Sequence, residues 1–147
     1  MKNAMRIIFF YCFAGGLYMT MELIARHRTD PMMFYLAGFI GIIFLLINEV
    51  LPYSTDLIIQ VIICGFCAVV GELIVGLLCN GDYSIWDYRN LPYNFMGQIQ
   101  LYFALLWHLM ATVFIPVLDY IDYHMFPREG IERPYYQICG HVIWTMK

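Results

Sequence analysis

Two acidic residues lie inside otherwise apolar runs, Glu22 and Glu72, and they are the side chains best placed to do chemistry. Glu72 sits about six residues before the end of its run, so at 1.5 Å per residue it lies roughly 9 Å from the helix terminus. A carboxylate at that depth in hydrocarbon costs about 2.5–3.5 kcal/mol on insertion scales, so it must face protein, find a partner or carry a proton. Two roles satisfy this: a structural hydrogen bond to a neighbouring helix, or a place in a polar, substrate-binding pocket. Glu22 is near the end of its run, where Arg26 at i+4 offers a helical ion pair.

The third chemical feature is a polar and aromatic stretch between two apolar runs, Ser84-Ile85-Trp86-Asp87-Tyr88-Arg89-Asn90-Leu91-Pro92-Tyr93-Asn94-Phe95-Met96-Gly97-Gln98. Trp86, Tyr88 and Tyr93 suit headgroup depth, Asp87 and Asn94 can satisfy free backbone amides, and Pro92 and Gly97 restrict the chain to turn conformations. Asp87 can also pair with Arg89. Such a loop serves either as an aromatic anchor or as part of a site. His108, beside Trp107, is either a neutral histidine bonded within the bundle or a proton relay to Glu72.

Other chemistries lack their residues. No Gly-x-x-x-x-Gly-Lys-Ser/Thr loop is present, so the chain does not hydrolyse ATP by the P-loop route. Gly-x-Ser-x-Gly and His-Glu-x-x-His are missing as well. Cys64 and Cys67 have Cys-x-x-Cys spacing within an apolar run, a setting for packing rather than reactivity, and five cysteines imply no disulfide framework. Asp119, Asp122 and His124 are ligand types for a cation, but this grouping is common at helix ends; neither metal nor cofactor is expected.

The elements that must position these groups are membrane helices. With 62% hydrophobic and 13% charged residues in 147, the chain has more apolar surface than one soluble core of that size can hide. Four runs approach the roughly 20 residues a spanning helix needs: residues 7–24, 32–47, 57–78 and 99–118. The second is the shortest, with room to begin at Pro31 and run on to Val50. The first follows Lys2 and Arg6 as a signal peptide would, but its apolar run continues past Gly16, which suits a retained helix. Short connections make successive helices antiparallel, giving an all-α, four-helix transmembrane bundle over residues 1–118 with an interfacial aromatic loop before helix four. Ala37, Gly38 and Gly41 in the second helix, and Gly65, Ala68 and Gly71 in the third, provide small faces for close packing.

Residues 119–147 read as a polar, aromatic, interfacial tail. Tyr120, Tyr123, Tyr135, Tyr136 and Trp144 suit the headgroup level, and residues 138–146 are too short to span, so they lie along the surface or pack on the bundle. Helix parity then puts Glu22, Glu72 and the 86–98 loop at one face of the membrane. Orientation rests on four basic residues (Lys2, Arg6, Arg128, Arg133) against three (Arg26, Arg28, Arg89), which favours cytoplasmic termini in the cell membrane. Net charge is −3 with scattered basic residues, the opposite of a nucleic-acid footprint; membrane lipids are the expected surroundings.

The run Gly71-Glu72-Leu73-Ile74-Val75-Gly76, then Trp86-Asp87-Tyr88, Pro92-Tyr93-Asn94, Gly97, Ile99 and Trp107, resembles small bacterial membrane proteins of the Putative ABC-transporter type IV family. Tyr11, Phe13, Gly16 and Glu22 give a weaker echo in the first helix. The chain departs from the family pattern at Arg89, Gln98 and His108, and lacks the proline- and glycine-rich loop expected after the first helix. The resemblance implies a multi-spanning membrane protein with a transporter label; together with the intramembrane carboxylates and the loop, the expectation is a permease-type protein, not an enzyme, with Glu22, Glu72, Trp86, Asp87, Tyr88, Asn94 and Gly97 around a polar pocket. Four helices are few for a transporter, so a homo-oligomer or a separate ATPase subunit is expected. An interaction or regulatory subunit that docks through the loop is the alternative. A lipid-modifying enzyme using Glu72 or Asp87 as general acid and base stands behind both, without an evident nucleophile.

Overall fold

A computed structural model describes residues 2–128, 130 and 132–146; Glu129 of the polar tail lies outside the described residues, as does the side chain of Lys2. Four helices carry the fold: α1 (Lys2–Arg26), α2 (Pro31–Val50), α3 (Leu57–Cys79) and α4 (Leu101–Met125). All four are long and apolar enough to cross a membrane. Two antiparallel hairpins complete the chain, β1 (Asn94–Phe95) with β2 (Ile99–Gln100) before α4, and β3 (Tyr135–Ile138) with β4 (His141–Thr145) after it.

Local chemistry sets the helix starts. Asp30 caps α2 by accepting from the Met32 amide at 2.8 Å, with Pro31 in the first turn, where its missing N–H costs nothing. Asp56 does the same for Ile58 in α3, and the Gln100 side chain accepts from Tyr102 and Phe103 at the start of α4. Gly15 lies against the Phe34 backbone, Gly38 against Tyr11 and Gly41 against Ala14, so α1 and α2 pack too closely for larger side chains. Gly65 of α3 takes the ring of His108 from α4. The closest helix pairs are therefore α1 with α2 and α3 with α4, and α2 bridges the two. Phe10, Leu36, Ile40, Phe44, Ala68, Trp107, Ala111 and Ile115 fill the centre, while Ile58, Ile62, Phe66 and Ile74 of α3 point outward as a lipid-facing stripe.

One end of the bundle is closed by charge. Arg6 is 3% exposed and grips Asp122 with two hydrogen bonds, Nε to Oδ1 at 2.5 Å and Nη2 to Oδ2 at 2.8 Å. Its Nη1 reaches Glu49 at 2.8 Å, and Arg128 bonds both Glu49 and Asp122. Helix α4 therefore runs past its expected end at Leu118 to Met125, because Asp119 and Asp122 point into the bundle, where they find partners. Asn48 and Tyr136 donate to Asp119. Asp119, Asp122 and His124 form no metal cluster, and none exists among the described residues.

The C-terminal segment packs on this end as a hairpin. Cys139 and Gly140 both have positive φ, the signature of a type I′ turn. The hairpin docks on the α2–α3 connection, where the Gln137 amide donates to the Ser54 carbonyl and the Cys139 N–H donates to Asp56. Tyr136 is buried rather than at headgroup level, because its hydroxyl serves Asp119 and its ring stacks on Trp144. Burial pushes the Tyr136 phenol above its ordinary range, with the Asp119 charge adding to it, so it remains a donor at neutral pH.

Candidate functional site

The opposite end holds the 80–100 loop, folded back on the bundle rather than spread along the interface. Its organiser is Asn80, the fully buried C-cap of α3. The Asn80 Nδ2 donates to the Trp86 carbonyl at 2.7 Å and to Gln98 Oε1 at 3.0 Å, while its Oδ1 accepts from the Ile85 amide at 2.9 Å. Gln98 returns a bond to the Asn80 carbonyl at 3.0 Å, and the Trp86 indole donates to the Gln98 carbonyl at 3.0 Å. Both ends of the loop are thus tied to the end of α3. Gly97 closes the β1–β2 turn at φ +66, where its amide donates to Asn94 Oδ1 and the Asn94 Nδ2 donates to the Leu91 carbonyl at 2.7 Å.

From Trp86 to Arg89 residues alternate in and out as in a strand: Trp86 and Tyr88 are buried, Asp87 and Arg89 exposed. Trp86 and Tyr88 therefore face the bundle and are not headgroup anchors; Tyr93, 73% exposed, is the ring that points outward. Asp87 turns away from the bundle and pairs with Arg89 at 2.8 and 2.9 Å. Those bonds hold the Asp87 carboxyl at about 2. Arg89 also lies over the Tyr83 ring, 4.0 Å from its centroid.

Tyr88 reaches inward to Glu72. The Glu72 side chain, 3% exposed, is held by the Trp107 indole N–H at 3.1 Å and by the Tyr88 hydroxyl at a longer 3.4 Å. Burial pushes the Tyr88 phenol above its ordinary range, so it keeps its proton and can donate. Two stacked pairs wall the site, Tyr18 on Trp107 at 5.5 Å and Tyr88 on Phe103 at 4.9 Å. Glu22 is buried one helix away, bonded by Arg26 and by Thr29 at 2.7 Å.

A cleft of about 320 Å³ opens between α1 and α4 against the loop. Glu22, Tyr18, Trp86 and Tyr88 line it, with Met33 beneath and Met21, Phe103 and Leu106 at its exposed apolar rim. Of the predicted residues, Glu22, Trp86 and Tyr88 share this cleft, and Glu72 lies one hydrogen bond behind Tyr88. Asp87 and Asn94 do not line it: one faces outward by strand alternation and the other is consumed in the turn with Gly97. His108 makes no direct hydrogen bond to Glu72. Its Nδ1 contacts the Ala104 carbonyl of its own helix at 2.8 Å and its ring fills the space over Gly65, while its neighbour Trp107 takes the carboxylate. The Asn80–Gln98 clamp was the part sequence reasoning missed; an asparagine ending an apolar helix was its one local signal.

Four membrane-length helices around a buried carboxylate define a multi-pass integral membrane protein. The chain belongs to the family described as Putative ABC-transporter type IV, whose profile matches residues 6–144. No curated protein and no solved structure matches the chain.

Proposed function

We propose that this chain is the non-enzymatic, membrane-spanning subunit of a transporter, with the α1–α4 cleft as its substrate pocket. The observation that supports this most is Glu72, an acidic group deep in a spanning helix, held among the described residues by the neutral donors Trp107 and Tyr88 beside an open cleft. Intramembrane carboxylates in such settings are functional by default. The family supports a transporter class, and a chain without a phosphate-binding loop needs a separate ATPase. With the termini cytoplasmic, as the basic residues favour, the cleft faces the outer side and would receive substrate there. Capture of the tagged chain from its own membranes tests the reading: a stoichiometric ATPase subunit is expected, and capture of the chain alone, or only with further copies of itself, refutes the two-component assignment.

A second reading, a docking or regulatory subunit, is favoured by one observation. The tip of the loop exposes Tyr93, Phe95 and Met96 together, although Trp86 and Tyr88 are buried. Under that reading Phe95→Ala loses a copurifying partner while Glu72→Gln does not.

A further inference from the structure

The charges around the cleft do not cancel. Arg26 and Glu22 both line it, and the Arg26 guanidinium is turned onto Glu22, so that pair is neutral as a unit. Glu72 has no cation opposite it among the described residues. Asp119 at the other end is likewise held by neutral donors, Asn48 and Tyr136, and lines neither of the two clefts at that end. Glu72 is thus a buried carboxyl group without a counter-charge and with space beside it, and the wall between the carboxyl and that space is aromatic: Tyr88, whose hydroxyl bonds the carboxyl, and Tyr18, stacked on the other donor, Trp107.

Aromatic faces attract cations through their quadrupole, and do so more strongly when water is excluded. A carboxylate behind a tyrosine adds to that field. The rim of the cleft includes Met21, Phe103 and Leu106, exposed and apolar on the side of the spanning helices, with Arg26 at its polar end, so the apolar part of a ligand has a path from hydrocarbon. We infer that the cleft binds a lipophilic organic monocation, an alkyl- or arylammonium whose charged head rests against Tyr18, Trp86 and Tyr88 while its apolar group lies at the Met21–Leu106 rim. A small head with one aryl or short alkyl group suits about 320 Å³. An anion would bring a second negative charge beside Glu72, whereas Glu22 is already paired with Arg26; a neutral molecule would leave the Glu72 carboxylate without a counter-charge. This assignment rests on the reading of the cleft as the transporter's pocket.

The test uses the whole chain in dodecylmaltoside micelles carrying Trp144→Phe, which leaves Trp86 and Trp107 as the only tryptophans. Tryptophan emission is titrated with benzyltrimethylammonium, with phenylacetate as the anionic counterpart and benzyl alcohol as the neutral one. The expected result is saturable binding of the cation, at least tenfold tighter than either counterpart. Glu72→Gln removes that preference and leaves benzyl alcohol binding unchanged. Tyr18→Leu, at a residue that hydrogen-bonds neither Glu22 nor Glu72, weakens the cation severalfold and keeps the site testable if the Glu72 variant does not fold. Equal binding of all three compounds, or tighter phenylacetate, overturns the cation assignment and leaves the pocket standing. No saturable response to any of them overturns the assignment together with the pocket on which it rests.

Discussion

Replacing Asn80 by alanine should release the 80–98 loop without unfolding the bundle. Asn80 is fully buried, and its side chain makes three bonds of 2.7–3.0 Å, to the Trp86 carbonyl, Gln98 Oε1 and the Ile85 amide. Each orphaned buried group costs about 1–3 kcal/mol. Gln98 retains its bond to the Asn80 carbonyl, and the costs of neighbouring groups do not simply add, so the sum is nearer about 3 than about 9 kcal/mol. At about 1.4 kcal/mol per factor of ten, the loop's opening equilibrium rises roughly a hundredfold. Amide hydrogen exchange at Ile85 and Trp86 reads this directly. Asn80→Asp should open the loop at least as far, because it turns a carboxylate oxygen onto the Trp86 carbonyl and Gln98 Oε1 in a buried place. Less than about threefold acceleration at Ile85 in the alanine variant would refute the clamp, since an unmade bond is expected to cost more than that.

Two further outcomes follow from the same geometry. Arg6→Met should destabilise the bundle by about 3–5 kcal/mol in detergent-titrated unfolding, because Asp122 loses two of its charged bonds while buried; a loss under about 1 kcal/mol would mark the pair as no better than a surface bridge. Asp87 should titrate near pH 2 by carboxyl-carbon NMR, and Arg89→Ala should return it toward about 3.9, its ordinary value. Since the folded value is lowered, whatever stability the Asp87–Arg89 pair supplies is present above about pH 3.9 and lost as pH falls through about 2.

The four spans were legible because lipid forces each spanning segment to be long and apolar, a demand visible in sequence alone. Parity then brought Glu22, Glu72 and the loop to one face without any knowledge of packing. What parity could not say was which way a loop side chain turns. Trp86-Asp87-Tyr88-Arg89 alternates apolar and polar residues, and that pattern carried the inward and outward assignment; the aromatic types, equally at home in a headgroup layer, concealed it. The Cys139-Gly140 turn, flanked by Tyr136-Gln137-Ile138 and His141-Val142-Ile143-Trp144, likewise carried a hairpin signal that a reading by span length passed over. Arg6 and Asp122 are 116 residues apart, and no local pattern joins them. Their pairing exists only because antiparallel helices return the chain to the same end.

In the proposed function Glu72, reached through Tyr88 beside the α1–α4 cleft, is the working group of the protein. Complementation of a deletion strain by Glu72→Gln, with membrane level and thermal unfolding matched to wild type, tests it most directly. The account predicts loss of the transport-dependent phenotype despite normal insertion, because the amide keeps the shape of the side chain and its contact with Trp107 but not its charge. Full complementation by the glutamine variant would contradict it and reduce Glu72 to a packing contact between α3 and α4.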